Sequence, residues 1–362
     1  MSSQQEFEVG IYTLADIGPD PLTGKTISAK QRMDEILKAA KLADEAGLNL
    51  FGVGEHHRLD YAVSSPAVVL SAIAQATEQI RLTSTTSVVS TLDPVRLFED
   101  FATLDLISGG RAEIFAGRGA FIESFPLFGY STDDYNELFN EHMELLLKLN
   151  KNEVVTWNGK FRSPLRNAEI APRPVQKQLP IWIGVGGTPS SAERAGKLGV
   201  GMALAILGGD PKRFKPLVDI YRQAGLDAGH NPEMLKVGVT GHTYIARTTE
   251  AAKDEYYPYY SNYWNYVNSQ RGMGTRMSRA EFERLASPET ALFVGSPEQI
   301  VEKILKQHEL FGHTRFLAQI DIGGLPYHMV EKNIELLATE VVPMLKKAIK
   351  QKEKEAKTPE FV

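Results

Sequence analysis

The sequence contains no cysteine among its 362 residues, and this absence excludes several kinds of chemistry. Disulfide bonds, thiolate metal sites and cysteine nucleophiles all need the missing thiol. No apolar run approaches the roughly 18 residues of a membrane-spanning helix. The first residues, MSSQQEFEVG, also lack the basic segment followed by an apolar one that marks a signal peptide. We therefore expect a soluble cytoplasmic protein that does not contact a membrane.

A strong excess of charge of one sign is missing as well. The chain has 40 basic and 45 acidic side chains, which gives a formal net charge of −5. Proteins that bind nucleic acids usually present a strongly basic face, so we expect no nucleic-acid partner. A composition of 43% hydrophobic and 23% charged residues is typical of a globular protein. The length fits either two domains of about 150 residues or one enlarged (β/α)₈ barrel.

Short apolar segments alternate with amphipathic helical segments along the chain, which predicts a repeated strand–helix unit. The predicted strands are Phe7–Leu14, Leu48–Gly54, Ile80–Ser90, Arg111–Ala116, Ile181–Val185, Val200–Leu207, Leu235–Ala246 and Arg315–Asp321. Alternation of this kind favours a parallel sheet, because parallel neighbours need a crossover connection. Eight such units most economically close into a (β/α)₈ TIM barrel, and an open doubly wound sheet is the alternative.

Two segments do not fit the regular alternation of strand and helix. Residues 154–163 hold two β-rich runs around Asn158-Gly159, which predict an inserted β-hairpin. A long helical region at about 248–310 contains a cluster of aromatic residues between Tyr256 and Tyr266. This cluster either packs a helix against the barrel or forms a lid over an apolar substrate. No flexible linker divides the chain, so we expect one barrel domain over residues 1–345 and a charged helix end or tail over residues 346–362.

Polar motifs lie at or near the carboxyl ends of five of the predicted strands. Functional groups of a TIM barrel lie at the carboxyl ends of its strands, so these motifs are the first candidates for a site. In chain order they are Glu55-His56-His57, Thr85-Thr86-Ser87, Gly117-Arg118-Gly119, Gly186-Gly187-Thr188 and Asp321.

The adjacent histidines His56 and His57 do not have the spacing of a metal site. Neighbouring residues of a strand point to opposite faces, so the pair cannot converge on one ion. We therefore expect no metal. A histidine that hydrogen-bonds a loop is the ordinary interpretation, and the position beside Glu55 at a strand end favours a functional one.

The glycine turn at Gly186-Gly187-Thr188 follows a strand and precedes a helix. Free backbone N–H groups at the start of a helix bind phosphate, and a plain glycine-rich turn is the alternative. A dinucleotide fingerprint that begins at Gly184 fails, because Pro189 occupies the place of its third glycine. Arg118 has the donor geometry to bind the same phosphate, or it forms an ordinary surface salt bridge.

Taken together, these segments resemble the bacterial luciferase-like, flavin-dependent monooxygenases over nearly the whole chain. The resemblance is densest over residues 48–149, and the run DPVR to SGGR at 93–111 is its most specific part. Its other segments are GEHH (54–57), TSTTSVVSTL (83–92), the WNG hairpin, IGVGGTPSSAERAGKLG (183–199), VGSPEQIVEKI (294–304) and LPYHMVEKNIELLATEVVP (325–343). It implies a (β/α)₈ barrel with an inserted hairpin and a helical lid, commonly as a homodimer in the cytoplasm.

The resemblance also assigns roles to residues of the candidate site. It implies that Arg118 and the turn Gly186-Gly187-Thr188 hold the phosphate of flavin mononucleotide (FMN), with Ser190 or Ser191 as further candidates. It places the isoalloxazine ring system against Thr85, Thr86 and Ser87, where a non-proline cis peptide bond is common. It makes His56 the candidate catalytic residue, and it groups Glu55 and His57 with the cofactor-binding residues.

One departure concerns light emission. A reactive cysteine lies beside the flavin of luciferase after the fourth strand, and Gly117 stands in that place here. This loss argues against light emission rather than against flavin binding.

The leading hypothesis is therefore a monooxygenase that uses reduced FMN and O₂ to oxygenate a small, apolar organic substrate. The chain carries no nucleotide fingerprint of its own, which favours a two-component system in which a separate flavin reductase supplies the reduced FMN. The alternatives are a deazaflavin-dependent oxidoreductase of the same fold and a flavin-binding protein without catalysis. A barrel hydrolase or isomerase that uses Glu55, His57 and Asp321 is a further alternative.

Overall fold

The computed structural model describes residues 6–119, 121–270 and 277–357, and it shows a closed barrel of eight parallel strands. The barrel order is β1-β2-β3-β5-β8-β9-β10-β12, and the pairing of β12 with β1 closes the ring. The predicted TIM barrel is therefore confirmed, and the open doubly wound sheet is excluded. The strands are β1 (Glu8–Thr13), β2 (Leu50–Val53), β3 (Arg81–Ser84), β4 (Ser87–Val88), β5 (Ala112–Gly117), β6 (Val154–Trp157), β7 (Leu165–Glu169), β8 (Ile181–Val185), β9 (Gly201–Ala205), β10 (Val237–Ile245), β11 (Phe293–Gly295) and β12 (Arg315–Gln319).

Helices follow the barrel strands and cover the barrel from outside. They are α1 (Ala29–Glu45), α2 (Pro66–Ala76), α3 (Pro94–Ser108), α4 (Ser124–Leu127), α5 (Tyr135–Lys151), α6 (Pro189–Leu198), α7 (Lys215–Asp227), α8 (Thr249–Gln270), α9 (Arg279–Leu285), α10 (Pro297–Phe311), α11 (Tyr327–Leu336) and α12 (Val342–Lys357). Helix α12 therefore contains residues 346–357 of the predicted tail, and residues 358–362 lie outside the described residues.

Helix α3 illustrates how the sequence sets these boundaries. The Asp93 carboxylate accepts hydrogen bonds from the N–H groups of Val95 and Arg96, and Pro94 occupies the first helical position. The helix ends at Gly109, which has φ of 67°. Glycine adopts that left-handed conformation without steric cost, so the chain can turn directly into β5.

Three predicted segments differ in the structure. The third strand, expected to run unbroken from Ile80 to Ser90, is divided into β3 and β4, and the peptide bond between Thr85 and Thr86 is cis. The helical region at 248–310 is interrupted by the short strand β11, which pairs with β10.

The inserted hairpin is present, but its second strand is β7 rather than the run around residues 160–163. The Glu141 carboxylate on α5 accepts hydrogen bonds from the backbone N–H groups of Lys160, Phe161 and Arg162 at 2.6–3.1 Å. This contact holds the segment after Asn158-Gly159 as a loop, so the dipeptide does not form a two-residue hairpin turn. Local sequence pattern could not reveal a carboxylate supplied by another element.

The amino end of the barrel is filled by a buried ion-pair network. Arg315 donates hydrogen bonds to Glu113 at 2.7 Å and to Glu8 at 2.8 Å, and its guanidinium lies 4.0 Å from the centre of the Trp182 ring. Tyr12 and Phe115 belong to the apolar layer inside the barrel. TIM barrels carry their functional groups at the carboxyl ends of the strands, and the network at the amino end joins strands of the barrel to one another.

Candidate active site

The structure places the predicted site residues at the carboxyl end of the barrel. The triplet from Glu55 to His57 follows β2, and Thr85 and Thr86 lie between β3 and β4. Arg118 follows β5, and the turn that begins at Gly186 connects β8 to α6. The predicted residues are therefore brought to one end of the barrel by four neighbouring strand segments.

Glu55 is buried and ties β2 to the third strand. Its carboxylate accepts a hydrogen bond of 2.8 Å from the backbone N–H of Val88, and its other oxygen lies 2.8 Å from Nε2 of His57. Its own N–H donates to the carbonyl of Thr86. Both oxygens of Glu55 are thus engaged within the protein. The residue fixes the segment between β3 and β4 and the orientation of His57.

His56 lies in an apolar environment. Its ring centre is 4.1 Å from that of Tyr61 and 5.2 Å from that of Phe121. Burial, assisted by the charge of Arg58, lowers the pKa of His56 to about 4, although Asp60 opposes this shift. The ring is therefore neutral at physiological pH, where it can donate one hydrogen bond and accept another.

Two glycines make room for the side chains of Thr85 and Thr86. A Cβ at Gly52 would lie 2.5 Å from Cγ2 of Thr85, and a Cβ at Gly117 would lie 2.1 Å from Oγ1 of Thr86. A side chain at Gly117 is therefore excluded while Thr86 holds this position. The missing luciferase-type cysteine has no room in this site, and a threonine side chain fills its place.

Arg118 projects towards the start of α6. Its guanidinium donates hydrogen bonds of 2.9 Å to Oγ of Ser191 and 2.9 Å to Oδ1 of Asn136, and it lies over the Tyr135 ring. Among the described residues, no carboxylate pairs with it, so the salt bridge considered for Arg118 is not observed there. The guanidinium is held in place by neutral partners and keeps its positive charge available for an anion.

The turn beside Arg118 is open. No protein atom lies within 4 Å of the place where a Cβ of Gly186 or Gly187 would stand. Thr188 precedes the first turn of α6, and its hydroxyl makes no capping hydrogen bond. The helix start, with its partial positive charge, therefore faces an open recess next to a cation, which is the arrangement that binds phosphate.

The sequence did not indicate several residues around this site. Tyr135 and Asn136 begin α5 and position Arg118, and the Tyr135 hydroxyl also donates to the carbonyl of Gly119. Arg194 lies on α6, one turn after Ser191. The helical spacing of Ser191 and Arg194 was the one signal that could have added Arg194 to the site.

The aromatic region packs against neighbouring elements, and the lid over a substrate stays a prediction. Tyr256 and Tyr260 are buried and pack against Phe282 of α9. Tyr263 and Trp264 contact His242, an unpredicted residue on β10 whose pKa is lowered to about 4 by burial. The side chain of Tyr266 lies outside the described residues.

Asp321 follows β12 and belongs to a buried cluster. Its carboxylate lies 3.8 Å from the guanidinium of Arg32, whose Nε donates to the carbonyl of Asp16. Burial raises the pKa values of both Asp16 and Asp321, and Asp16 reaches about 6. Glu55 and His57 form their own pair, while Asp321 is associated with Arg32.

Neither a metal centre nor a membrane span emerges from the structure. Within residues 6–119, 121–270 and 277–357, no group of three or more metal-ligating side chains converges. None of the helices in the same ranges is long and apolar enough to cross a bilayer.

A TIM barrel with an open glycine turn beside an arginine, a neutral histidine and aromatic side chains at its carboxyl end is typical of a cofactor-dependent enzyme. The chain belongs to the luciferase-like monooxygenase family, whose model matches residues 7–314. Several relatives are named monooxygenases, one of them flavin-dependent, so the expected enzyme class is confirmed. The chain is 24% identical over 330 residues to the oxygenase component of the flavin-dependent trigonelline monooxygenase of Acinetobacter baylyi, covering 87% of this chain and 90% of the relative.

Solved structures show the same architecture. Monooxygenase RslO1 from Streptomyces bottropensis superposes with a TM-score of 0.80 at 25% identity, covering 93% of this chain and 99% of that one. The oxygenating constituent of 3,6-diketocamphane monooxygenase from Pseudomonas putida, solved with FMN, gives 0.74 at 20% identity, covering 93% and 98%. An F420-dependent secondary alcohol dehydrogenase shares the fold, with a TM-score of 0.72 at 16% identity and coverage of 94% and 99%.

Proposed function

We propose that this protein is the oxygenase of a two-component monooxygenase, which binds reduced FMN and uses O₂ to oxygenate a small apolar substrate. The observation that carries the proposal is the Arg118 guanidinium, which lies without a carboxylate partner among the described residues beside the open start of α6. A cation and a free helix start fit the phosphate of FMN.

A separate reductase is part of this proposal. The trigonelline relative is named an oxygenase component, and the glycine turn of this chain has the spacing of a phosphate site rather than of a dinucleotide fingerprint. We place the protein in the cytoplasm, where reduced nicotinamide nucleotides for such a reductase are available.

In this mechanism the chain's own residues bind, orient and exclude water. Arg118 and the turn Gly186-Gly187-Thr188 would hold the phosphate, and the segment Thr85-Thr86-Ser87 would line the place of the ring system. Bound reduced FMN supplies the electrons that activate O₂. Glu55 and His57 act by fixing that segment rather than by touching the cofactor. His56 offers one hydrogen bond, and the aromatic side chains near His242 keep water from the substrate.

The first prediction concerns FMN affinity. We expect the purified protein to bind FMN with micromolar or tighter affinity and Arg118→Gln to bind it about 10- to 100-fold more weakly. A hydrogen bond to a charged group contributes about 1.5–3 kcal/mol, which gives this range. Quenching of flavin fluorescence measures both values. Arg166→Gln, on the exposed hairpin, is the control and should bind like the wild type. Absence of binding at tens of micromolar would contradict the proposal.

The second prediction concerns His56. Because its pKa of about 4 is far below the operating pH, we expect it to act as a neutral hydrogen-bonding group rather than as a titrating base. His56→Phe keeps ring contacts with Tyr61 and Phe121 and should slow oxygen transfer about tenfold, the value of one hydrogen bond.

The measurement for His56 starts from protein photoreduced with FMN under anaerobic conditions. O₂ is then admitted with a panel of ketones, aldehydes and N-methylated aromatic acids, and product formation is followed. FMN affinity should stay within threefold of the wild type. An unchanged rate of product formation in His56→Phe would contradict the role of His56 as a hydrogen-bonding group. A step near pH 6.5 in the rate of the wild type would contradict its role as a neutral group.

The third prediction concerns assembly. We propose a homodimer formed through α2 and α3, which pack on each other and carry the exposed apolar residues Val68, Leu106 and Ile107. Helix α2 also contains no charged residue. Light scattering should give twice the chain mass, and the double variant Val68→Asp with Ile107→Asp should give a monomer. A monomeric wild type would contradict this arrangement.

A further inference from the structure

Arg194 lies next to Arg118 on the same packed surface. The guanidinium of Arg118 lies over the Tyr135 ring at 5.2 Å, and that of Arg194 lies over the Phe139 ring at 5.5 Å. Tyr135 and Phe139 are four residues apart on α5, so their rings are neighbours on one helix face. The two guanidinium groups are therefore adjacent in space, although 76 positions separate them in the sequence.

The start of α6 connects the same two arginines. Ser191 accepts a hydrogen bond from Arg118, and Arg194 follows Ser191 by three residues on the same face of the helix. Arg194 therefore starts from the face of α6 that carries Ser191, the hydrogen-bond partner of Arg118.

The two arginines receive little compensating charge from the protein, since the one described carboxylate that acts on Arg194, that of Glu193, pairs with Lys197. Neither guanidinium is within ion-pair distance of a carboxylate in the part of the chain that the structure describes. Nη1 of Arg194 is buried and has no hydrogen-bond partner there. Burial lowers the pKa of Arg194, and the positive charge of Arg118 lowers it further while Glu193 opposes the shift, as expected for two neighbouring guanidinium groups. Two adjacent cations without an anion are unfavourable, and a bound dianion would relieve the repulsion.

We propose that Arg194 is the second cation of the phosphate site, and that the pair Arg118–Arg194 selects a phosphate monoester over a phosphodiester or an unphosphorylated flavin. This inference rests on the proposed function, because it assigns a further residue to the same FMN site. A monoester carries nearly two negative charges at pH 7, with a second pKa of about 6, whereas a diester carries one. Two arginine side chains match the charge and the oxygen atoms of the monoester.

The test compares three oxidised flavins that differ at the ribityl end. FMN ends in a monoester, FAD contains diester-type phosphates, and riboflavin has no phosphate. Their dissociation constants are measured by fluorescence quenching for the wild type, Arg194→Gln, Arg194→Lys and Lys197→Gln. Lys197 is the matched control, because it is one turn of α6 away, is 63% exposed and pairs with Glu193.

We expect Arg194→Gln to bind FMN about tenfold more weakly and to bind riboflavin like the wild type. The FMN affinity of Arg194→Lys should lie between those of the wild type and Arg194→Gln, since lysine keeps the charge but lacks the planar pair of donors. Lys197→Gln should bind FMN and riboflavin with the same affinities as the wild type. In the wild type the affinity for FMN should increase between pH 5 and pH 7.5 as the phosphate loses its second proton, and this increase should be smaller in Arg194→Gln.

The outcomes separate this inference from the function on which it rests. FMN binding by the wild type that is unchanged in Arg194→Gln would overturn the role of Arg194 and leave the proposed function standing. An equal loss of riboflavin and FMN would also overturn it, because Arg194 would then be needed only for folding. Failure of the wild type to bind FMN would overturn the proposed function and this inference with it.

Discussion

Replacing Glu55 by alanine should lower the free energy of unfolding by about 3–5 kcal/mol and abolish FMN binding at micromolar concentrations. The variant leaves the buried N–H of Val88 without an acceptor and removes the partner of His57. A buried donor that loses its partner costs about 1–3 kcal/mol, and breaking a buried pair costs about 3–5 kcal/mol. The segment that contains Thr85 and Thr86 loses its anchor at the same time. Urea unfolding measures the stability change.

Glu55→Gln distinguishes the contribution of the hydrogen bonds of Glu55 from that of its negative charge. Its amide oxygen can still accept a hydrogen bond from Val88, and its NH₂ group can donate one to His57. The loss of unfolding free energy should therefore be less than half of that in Glu55→Ala. Glu302→Ala is the control for removal of a carboxylate. Glu302 is 56% exposed and pairs with Lys306 on the surface, so its loss should cost under about 1 kcal/mol. A urea midpoint for Glu55→Ala equal to that of the wild type would contradict the anchoring role.

The sequence predicted the site wherever a motif directly follows a strand. A parallel barrel places every strand end at one face, so Glu55, Arg118 and Gly186 could be brought together without any knowledge of side-chain packing. Residues supplied by helices were missed for the same reason. Asn136 meets Arg118, and Arg194 meets Phe139 of α5, through side-chain contacts between elements that are distant in sequence, and no pattern along the chain encodes those contacts.

Errors in the fold prediction have a similar cause. The hairpin was predicted from Asn158-Gly159, but the carboxylate of Glu141 binds the following backbone N–H groups and prevents a tight turn. The third strand was predicted as continuous because its residues all favour a strand. Its division near Thr85 depends on the contacts of that residue with Gly52 and of Thr86 with Gly117, which lie on neighbouring strands. In both segments local preference favours a regular element, and tertiary contacts decide the different geometry that is observed.

Acidification from pH 6 to pH 4 should lower the free energy of unfolding by about 4–5 kcal/mol. Burial lowers the pKa values of His56 and His242 to about 4 and that of His313 to about 3, from an ordinary value of 6.5. Between these values the unfolded chain binds up to three more protons at these histidines than the folded chain does, and the pKa of His142, which burial also lowers, adds to the difference. Unfolding is therefore favoured as the pH falls.

The buried acids oppose part of this loss. Asp16 and Asp321 have raised pKa values, so the folded pair takes up one proton before the unfolded chain does. The net difference is then about two protons, or about 2.7 kcal/mol per pH unit. Urea unfolding at half-unit steps between pH 7 and pH 4 measures this slope.

His313 offers the sharpest check of this pH dependence. Its ring is fully buried and packs against Phe7 and Phe311, and the backbone of Gln307 is a polar group that acts on it. His313→Phe should therefore fold, keep or increase stability at pH 7, and reduce the slope by about 1.4 kcal/mol per pH unit, the value of one proton. His328→Gln replaces an exposed histidine and should leave the slope unchanged. If His313→Phe retains the wild-type slope, His313 already binds its proton in the folded protein, and the acid sensitivity must come from other groups.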